Sequence, residues 1–247
     1  FYVAVNYLLL GRFELALNAS AQAQAVGERI ADPRLQSYAA FVDSWTEASR
    51  GEWETAIDEC QRSLKLAPDP VSSAYASAWL GYAYVEKGDF VEALPVLHQA
   101  IRELERFGFP QWHGLFTVVL AEAYRLNGQV ERALELANQG LKITTRAKYW
   151  YGVGFGHRAL GRIALATSAL NEAETRLTEA LQTFAGIEAQ FEAGRTRLDL
   201  AAVAHTHGNR EIARTQLKEA YRLFRALEVP RYVERTEQLA RQLGIDL

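Results

Sequence analysis

The sequence repeats itself with a period of about 40 residues, and no other property of the chain limits its possible folds so strongly. Each unit carries a small residue suited to a tight turn, followed five positions later by an alanine. The turn residues are Gly11, Gly51, Gly88, Gly128, Ser168 and Gly208, and the alanines are Ala16, Ala56, Ala93, Ala133, Ala173 and Ala213. Successive turns are 40, 37, 40, 40 and 40 residues apart. This spacing predicts a stack of similar units, each of which buries its apolar face only against its neighbours.

The units are predicted to be helical. Hydrophobic residues make up 49% of the chain, only six residues are prolines, and no segment alternates regularly between apolar and polar residues. Glycine in a helix interior costs about 1 kcal/mol relative to alanine, so Gly81 needs a structural reason. Gly81, Ala93 and Ala100 stand where a second helix would pack closely, and Gly88 is the turn between the two helices. We therefore expect an all-α protein built from closely packed helix pairs.

Prolines mark the loops between units. Pro33, Pro70, Pro110 and Pro230 fall where one unit ends and the next begins, and there a proline ends a helix at little cost. Six units and a C-terminal capping helix over residues 231–243 form a single predicted domain that spans residues 1–247. Because the chain has no methionine and begins within a helical pattern, we interpret it as a piece of a longer protein.

The third unit resembles a known repeat. The residues that carry the resemblance are Leu80, Gly81, Tyr84, Ala93, Leu97, Ala100 and the preceding Pro68. They resemble the tetratricopeptide repeat (TPR), a helix-turn-helix unit of about 34 residues. The longer unit of this chain is similar to the TPR arms of bacterial STAND-type signalling ATPases and LuxR-type regulators. The resemblance implies a right-handed superhelical solenoid of about six repeats, in which the first helix of each repeat lines a concave groove.

A stripe of side chains on these first helices would face that groove. Applying the phase of Tyr75, Trp79, Tyr82 and Glu86 to the other units completes the candidate set. The set consists of Tyr38, Trp45, Tyr75, Trp79, Tyr82, Glu122, Arg125, Arg158, Arg162, Arg195 and Asp199. The predicted groove is aromatic towards its N-terminal end and arginine-rich towards its C-terminal end. Since Trp, Tyr and Arg are frequent binding hot spots and Arg binds carboxylates, the set favours an extended peptide or helix with apolar anchors and carboxylates.

Other interpretations of these residues stay open at this point. The aromatic side chains could pack between neighbouring first helices as core, and the arginines could form ion pairs on a solvated helix face. The run Tyr149–Trp150–Tyr151, next to Lys148 and Arg146, could stack a sugar or a nucleobase. Its alternative is ordinary aromatic packing between the fourth and fifth units.

Residues typical of catalysis or metal binding do not form a recognisable pattern. His205 and His207 diverge on a helix, and Cys60 is the single cysteine. We therefore predict no enzyme activity, no catalytic residues, no cofactor and no metal. The net charge of −3 argues against non-specific nucleic-acid binding, and the longest apolar run, residues 115–121, is too short to cross a bilayer. A cytoplasmic protein that binds neither nucleic acid nor membrane is expected, and the sequence leaves its oligomeric state open.

The sequence thus predicts a protein interaction scaffold or regulatory module of a multidomain bacterial signalling or transcription-regulating protein. It would bind a peptide or protein segment in the concave groove, and that segment could belong to a partner or to the same parent chain. The alternative is a sensor of a small molecule, a sugar or nucleotide, that controls an attached effector. A peptide needs a long open groove, whereas a sensor needs a closed pocket of about 300 to 1,000 Å³.

Overall fold

Thirteen α-helices joined by short turns make up the chain, and it contains no β-strand. The computed structural model describes all residues from 1 to 247. The helices are α1 (Tyr2–Leu9), α2 (Phe13–Arg29), α3 (Pro33–Arg50), α4 (Trp53–Leu66), α5 (Pro70–Lys87), α6 (Phe90–Arg106), α7 (Pro110–Leu126), α8 (Val130–Arg146), α9 (Trp150–Ala166), α10 (Leu170–Gly186), α11 (Gln190–Thr206), α12 (Arg210–Ala226) and α13 (Pro230–Gln242). Six helix-turn-helix pairs precede α13. The predicted all-α solenoid of six helix-turn-helix repeats with a C-terminal helix is therefore confirmed.

The turn within each pair depends on one residue with a left-handed backbone. Gly88 has a φ of +93°, which glycine adopts without steric cost. The amide of Asp89 donates to the carbonyl oxygen of Tyr84 at 2.8 Å, the hydrogen bond that closes a Schellman cap at the end of α5. The fifth turn uses Ser168 in the same conformation, with a φ of +61°. The chain therefore reverses at each position that the 40-residue repeat marks.

Proline and aspartate begin several of the inner helices. Pro33, Pro70, Pro110 and Pro230 are each the first residue of their helix, where the missing N–H group has no helical partner to lose. The side chain of Asp69 accepts a hydrogen bond from the amide of Ser72 at 2.9 Å and caps α5. The loops between repeats thus end where the sequence predicts them to end.

Small residues allow the two helices of a pair to touch. A Cβ atom added at Gly81 of α5 would lie 2.5 Å from both Cγ and Cδ2 of Leu97 in α6. Ala93 and Ala100, on the same face of α6 as Leu97, are completely or almost completely buried. The close approach of α5 and α6 explains why the chain places glycine inside an otherwise strongly helical segment.

The helices form two layers that wind around a common axis. Odd-numbered helices contact their even-numbered partners and also one another, and the even-numbered helices pack on the outside of them. The solenoid closes upon itself within one superhelical turn, because α13 contacts α3. Phe13 at the start of α2 also meets Phe191 of α11, with ring centroids 5.1 Å apart. The concave face is therefore a narrow interior enclosed by the odd-numbered helices.

Candidate functional site

Aromatic residues of α3 and α5 form a layer inside the superhelix. Trp45 stacks on Trp79, with ring centroids 3.9 Å apart and ring planes at 22°. Tyr82 meets Trp79 edge-on at 5.4 Å, and all three side chains are at most 2% exposed. Tyr38 and Tyr75, nearer the helix N-termini, are half-buried and 5.9 Å apart. The structure thus brings the five aromatic residues of the predicted groove together, packed against one another and largely shielded from solvent.

Two later helices extend this layer with residues that the predicted stripe does not include. Trp112 of α7 lies 5.7 Å from Tyr149, and Tyr151 of α9 reaches across the axis to within 5.8 Å of Trp45. Trp150, in contrast, is 53% exposed. The signal for this contribution is the run Tyr149–Trp150–Tyr151 itself, whose two tyrosines pack in the interior.

The aromatic layer leaves two polar groups without partners. The indole N–H groups of Trp45 and Trp79 are buried and donate no hydrogen bond. Leaving a buried donor unpaired costs roughly 1 to 3 kcal/mol. The interior therefore retains hydrogen-bonding capacity that this packing does not use.

A buried ionic cluster adjoins the aromatic layer. Glu192 of α11 binds the guanidinium of Arg158 in α9 at 2.5 Å and accepts a hydrogen bond from the hydroxyl of Tyr151 at 3.1 Å. Arg195 lies 3.6 Å from the same carboxylate. Burial by itself would raise the pKa of Glu192, but the two arginines outweigh it and lower that pKa. The predicted groove residue Arg158 is therefore paired within the protein.

Arg195 links the third repeat to the C-terminal part of the solenoid. Its Nη2 atom lies 2.7 and 2.8 Å from the carboxylate oxygens of Glu86 in α5, and its Nη1 atom donates to the hydroxyl of Tyr82 at 3.2 Å. The hydroxyl of Tyr232 in α13 lies 3.5 Å from the same carboxylate. Glu86 and Arg195 are 109 residues apart in sequence, so these contacts hold the third repeat against the last two helices of the inner layer.

The remaining predicted groove residues form a chain of ion pairs. Arg125 binds the carboxylate of Glu122 through two nitrogens at 2.8 Å each, and Arg162 binds the same carboxylate at 3.0 Å. Arg162 also binds Asp199 at 2.8 Å. Burial alone would raise the pKa of Glu122, but Arg162 and Arg125 outweigh it and lower that pKa to about 2. Three inner helices, α7, α9 and α11, are thereby linked in order.

The ion pairs formed by Glu122, Arg125, Arg162 and Asp199 line an open cleft of about 470 Å³ near the C-terminal ends of α5, α7 and α9. Glu86, Arg195 and Arg235 also line the cleft. Arg235 of α13 is exposed and forms no ion pair, and its guanidinium lies 5.6 Å from the ring centre of Tyr232. A small cavity beside Phe155 is about 20 Å³ in volume, which is room for about one water molecule. The cleft is therefore the only one of these two spaces with room for a ligand group.

The contacts that close the superhelix form what we call the seam, between Phe13 and Glu52 on one side and Phe191 and Arg231 on the other. Arg231 of α13 binds Glu52 at 3.3 Å, and its guanidinium lies 5.4 Å from the ring centre of Trp53. The residues of this ion pair are 179 positions apart. Sequence reasoning missed the seam because nothing in the repeat pattern relates the first units to the last.

Other chemically capable groups lie apart from this site. Cys60 is fully buried and lies 2.8 Å from the hydroxyl of Ser44, and burial raises its pKa to about 12. No group of three or more histidine, cysteine, aspartate or glutamate side chains is arranged to hold a metal ion. None of the helices combines the length and the apolar character that crossing a membrane requires.

Comparison with known proteins shows which family the sequence matches and which structures have a similar fold. The sequence matches the family described as the MalT-like TPR region over residues 39–243. No curated protein matches the chain in sequence. A Rap protein complexed with Competence and Sporulation Factor is similar in structure, with a TM-score of 0.77 at 14% identity over 98% of this chain and 72% of that one. NprR in complex with its cognate peptide NprX is similar with a TM-score of 0.74 at 14% identity, over 98% and 74% of the two chains.

A third similar structure is a STAND protein with a tetratricopeptide repeat sensor from Pyrococcus horikoshii. Its TM-score is 0.58 at 18% identity, over 93% of this chain and 40% of that one. The structural likenesses show a shared fold, and the family match covers most of the sequence. The predicted TPR resemblance is confirmed: this chain belongs to the MalT-like TPR family.

Proposed function

We propose that this chain is a regulatory TPR module that binds a peptide or protein segment on its inner face and thereby controls an attached effector domain. Helical-repeat solenoids provide extended concave binding surfaces. NprR, which has a similar fold, is described in complex with its cognate peptide NprX, and a Rap protein of similar fold is described in complex with Competence and Sporulation Factor. These likenesses support the choice of a peptide, and the argument for this chain comes from its own interior.

The observation that carries the proposal is the way in which the inner face is filled. Its hydrogen bonds and ion pairs across the axis are formed between side chains, chiefly those of Glu86 and Arg195, and they join helices that are distant in sequence. Trp45 and Trp79 keep buried indole donors unpaired in this arrangement. An extended peptide supplies one carbonyl acceptor and, except at proline, one N–H donor per residue, so it can satisfy such groups where an apolar ligand cannot.

Binding at this face requires the solenoid to open. A bound segment would separate α11 and α13 from α3 and α5, which are held together by the seam and by the Glu86–Arg195 pair. A ligand that binds the open form better than the closed form shifts the population towards the open form. Because opening moves the first and last repeats relative to one another, it provides a means of transmitting binding to a neighbouring domain.

The small-molecule alternative is not favoured by the dimensions of the interior. The small cavity beside Phe155, about 20 Å³, is far below the roughly 300 to 1,000 Å³ of a typical ligand pocket. The cleft of about 470 Å³ is within that range, but it is open, whereas a sensor needs a closed pocket. Tyr149 and Tyr151, which could have stacked a sugar or a nucleobase, pack instead against Trp112 and Trp45.

Tryptophan fluorescence tests the proposal, because Trp45 and Trp79 are stacked at the place where opening would occur. The Trp150→Phe variant removes the exposed tryptophan. It leaves the buried Trp45 and Trp79 and the half-buried Trp53 and Trp112 as reporters. A pool of linear peptides of about six to ten residues, fractionated by affinity for this variant, should contain members that change the emission of the four remaining tryptophans. They should also speed amide hydrogen exchange in α13.

Two results would contradict the proposal. One is that bound peptides leave both the tryptophan emission and the exchange of α13 unchanged. The other is that sugars or nucleotides, and no peptide, raise the midpoint of thermal unfolding.

A further inference from the structure

We propose that the cleft near the C-terminal ends of α5, α7 and α9 is a carboxylate-binding site. Arg195 and Arg235 hold a carboxylate of the ligand, and Glu86 occupies Arg195 until that ligand arrives. The ligand class, a peptide carrying an accessible carboxylate, rests on the proposed function. The site itself is defined by the charges and contacts of the cleft.

The charges that line the cleft do not balance. Four arginines, Arg125, Arg162, Arg195 and Arg235, face three carboxylates, those of Glu86, Glu122 and Asp199. Lys87 also borders the cleft, but its ammonium binds Asp89 at 3.0 Å. Arginine stays protonated in proteins, so the cleft keeps an excess of one positive charge and suits a ligand with one negative charge.

Arg235 is the arginine that remains available. The guanidiniums of Arg125, Arg162 and Arg195 each bind at least one carboxylate within 3 Å, whereas Arg235 forms no ion pair. Its position over the ring of Tyr232 keeps the guanidinium at the mouth of the cleft, on the same side as Glu86. A lone exposed arginine is ordinary on a helix surface. Here it borders the same cleft as Arg195, whose side chain is only 4% exposed.

Glu86 shows how a ligand carboxylate would bind. Its two oxygens lie 2.7 and 2.8 Å from Nη2 of Arg195, and the Tyr232 hydroxyl lies 3.5 Å away. These donors belong to α11 and α13, whereas Glu86 belongs to α5. A ligand carboxylate that takes the place of Glu86 therefore keeps the same donors and releases α5 from the other two helices.

Glu122 is not a comparable competitor. Arg125 and Arg162 bind it from two sides through three hydrogen bonds, and it joins neighbouring repeats that stay adjacent when the solenoid opens. Glu86 has a single arginine partner, on the far side of the axis. Displacement by a ligand is therefore expected at Glu86, and the Glu122 chain forms the fixed wall of the cleft.

A small carboxylate tests the site without any assumption about peptides. N-acetylglycine, at constant ionic strength, is titrated into the ¹⁵N-labelled chain while the arginine Nε–Hε signals are followed by NMR. N-acetylglycinamide, which lacks the charge, is the matched probe. We expect the signals of Arg195 and Arg235 to move with the acid and not with the amide. The Arg235→Gln variant should bind the acid several-fold more weakly, and Glu86→Gln should bind it about ten-fold more tightly because the internal competitor is gone.

Arg222→Gln provides the control. Arg222 is an exposed arginine on the outer helix α12, where it pairs with Glu219, and its substitution should leave the affinity for the acid unchanged. Equal shifts with acid and amide, or no change in affinity on Glu86→Gln, would overturn the proposal.

Binding of peptides distinguishes a failure of the carboxylate site from a failure of the proposed peptide function. Pools with a free C-terminal carboxylate, with an amidated C-terminus, and with an amidated C-terminus plus one Asp or Glu distinguish a terminal from a side-chain carboxylate. Tighter binding of either acidic pool, lost in Arg235→Gln, supports the carboxylate site. If acetylglycine binds as expected and no pool binds, the carboxylate site stands and the proposed peptide function fails. If peptides bind equally with and without carboxylates, the peptide function stands and the carboxylate proposal is overturned.

Discussion

Replacing Gly81 with alanine should destabilise the protein, although alanine is the better helix former. Helix propensity alone would favour the substitution by about 1 kcal/mol. The added Cβ atom, however, would lie 2.5 Å from Cγ and Cδ2 of Leu97, which is fully buried and cannot swing into solvent. Overpacking of this kind costs about 1 to 3 kcal/mol or more, so after the gain in helix propensity we expect a net loss of up to about 2 kcal/mol.

Urea titration followed by far-ultraviolet circular dichroism measures this effect. Repeat proteins can depart from two-state unfolding, so both the midpoint and the slope of the transition are compared. Gly186→Ala is the matched control, because Gly186 ends α10 with open space around the position of a Cβ atom. It should stabilise the protein by up to about 1 kcal/mol.

The Leu97→Ala variant serves to test the contact between Gly81 and Leu97 by itself. Leu97→Ala alone should cost about 2 to 5 kcal/mol and leave space beside Gly81. Gly81→Ala added to that variant should then be neutral or stabilising, since the new methyl group enters the vacated space. If Gly81→Ala stabilised the wild-type chain as much as Gly186→Ala does, close helix contact would not be the reason for this glycine.

Three further predictions concern charges and turns. Glu192→Ala would leave the buried guanidinium of Arg158 without its carboxylate. The free energy of unfolding, measured by urea titration, should fall by about 3 to 5 kcal/mol. Burial raises the pKa of Asp43 to about 6, so ionisation of Asp43 weakens the fold as the pH rises from about 4 through 6. Asp43→Asn should therefore stabilise the protein by about 1 to 2 kcal/mol at pH 8 and by little at pH 4, and unchanged stability at pH 8 would contradict this. Gly51→Ala and Gly88→Ala both force alanine to a φ near +90°, but only the first places a Cβ atom 2.8 Å from the Arg231 side chain. Urea titration should therefore show a loss of stability that is larger for Gly51→Ala by up to about 1 kcal/mol, and equal losses would mean that Arg231 does not pack against Gly51 in solution.

The repeat pattern was sufficient to predict the helices, their turns and their pairwise contacts. Turn residues such as Gly88 act through the conformation of a single residue, and Gly81 and Ala93 act on the adjacent helix. Such effects are local or between neighbours in sequence, so they leave a regular trace at every repeat. The spacing of the turns therefore carried enough information to predict the fold.

The site was only partly predictable. The stripe containing Trp79 and Arg195 lies on the inner helices α5 and α11, but the sequence does not show which residues of other repeats these side chains contact. Glu86, which continues the stripe, and Glu192, which lies outside it, neutralise arginines from other repeats. These pairs depend on which residues meet across the axis, and a helical phase read from one repeat does not contain that distance.

The sequence by itself thus determined a stack of six helix pairs with small residues at their contacts, because turn geometry and helix packing are set by short segments. Only the tertiary structure decided that the stack closes within one superhelical turn, so that Arg231 reaches Glu52 and Arg195 reaches Glu86. The physical reason is that a small rotation from each repeat to the next accumulates along the chain. The sum of these rotations, rather than any single unit, sets whether the inner face is an open groove or a closed interior.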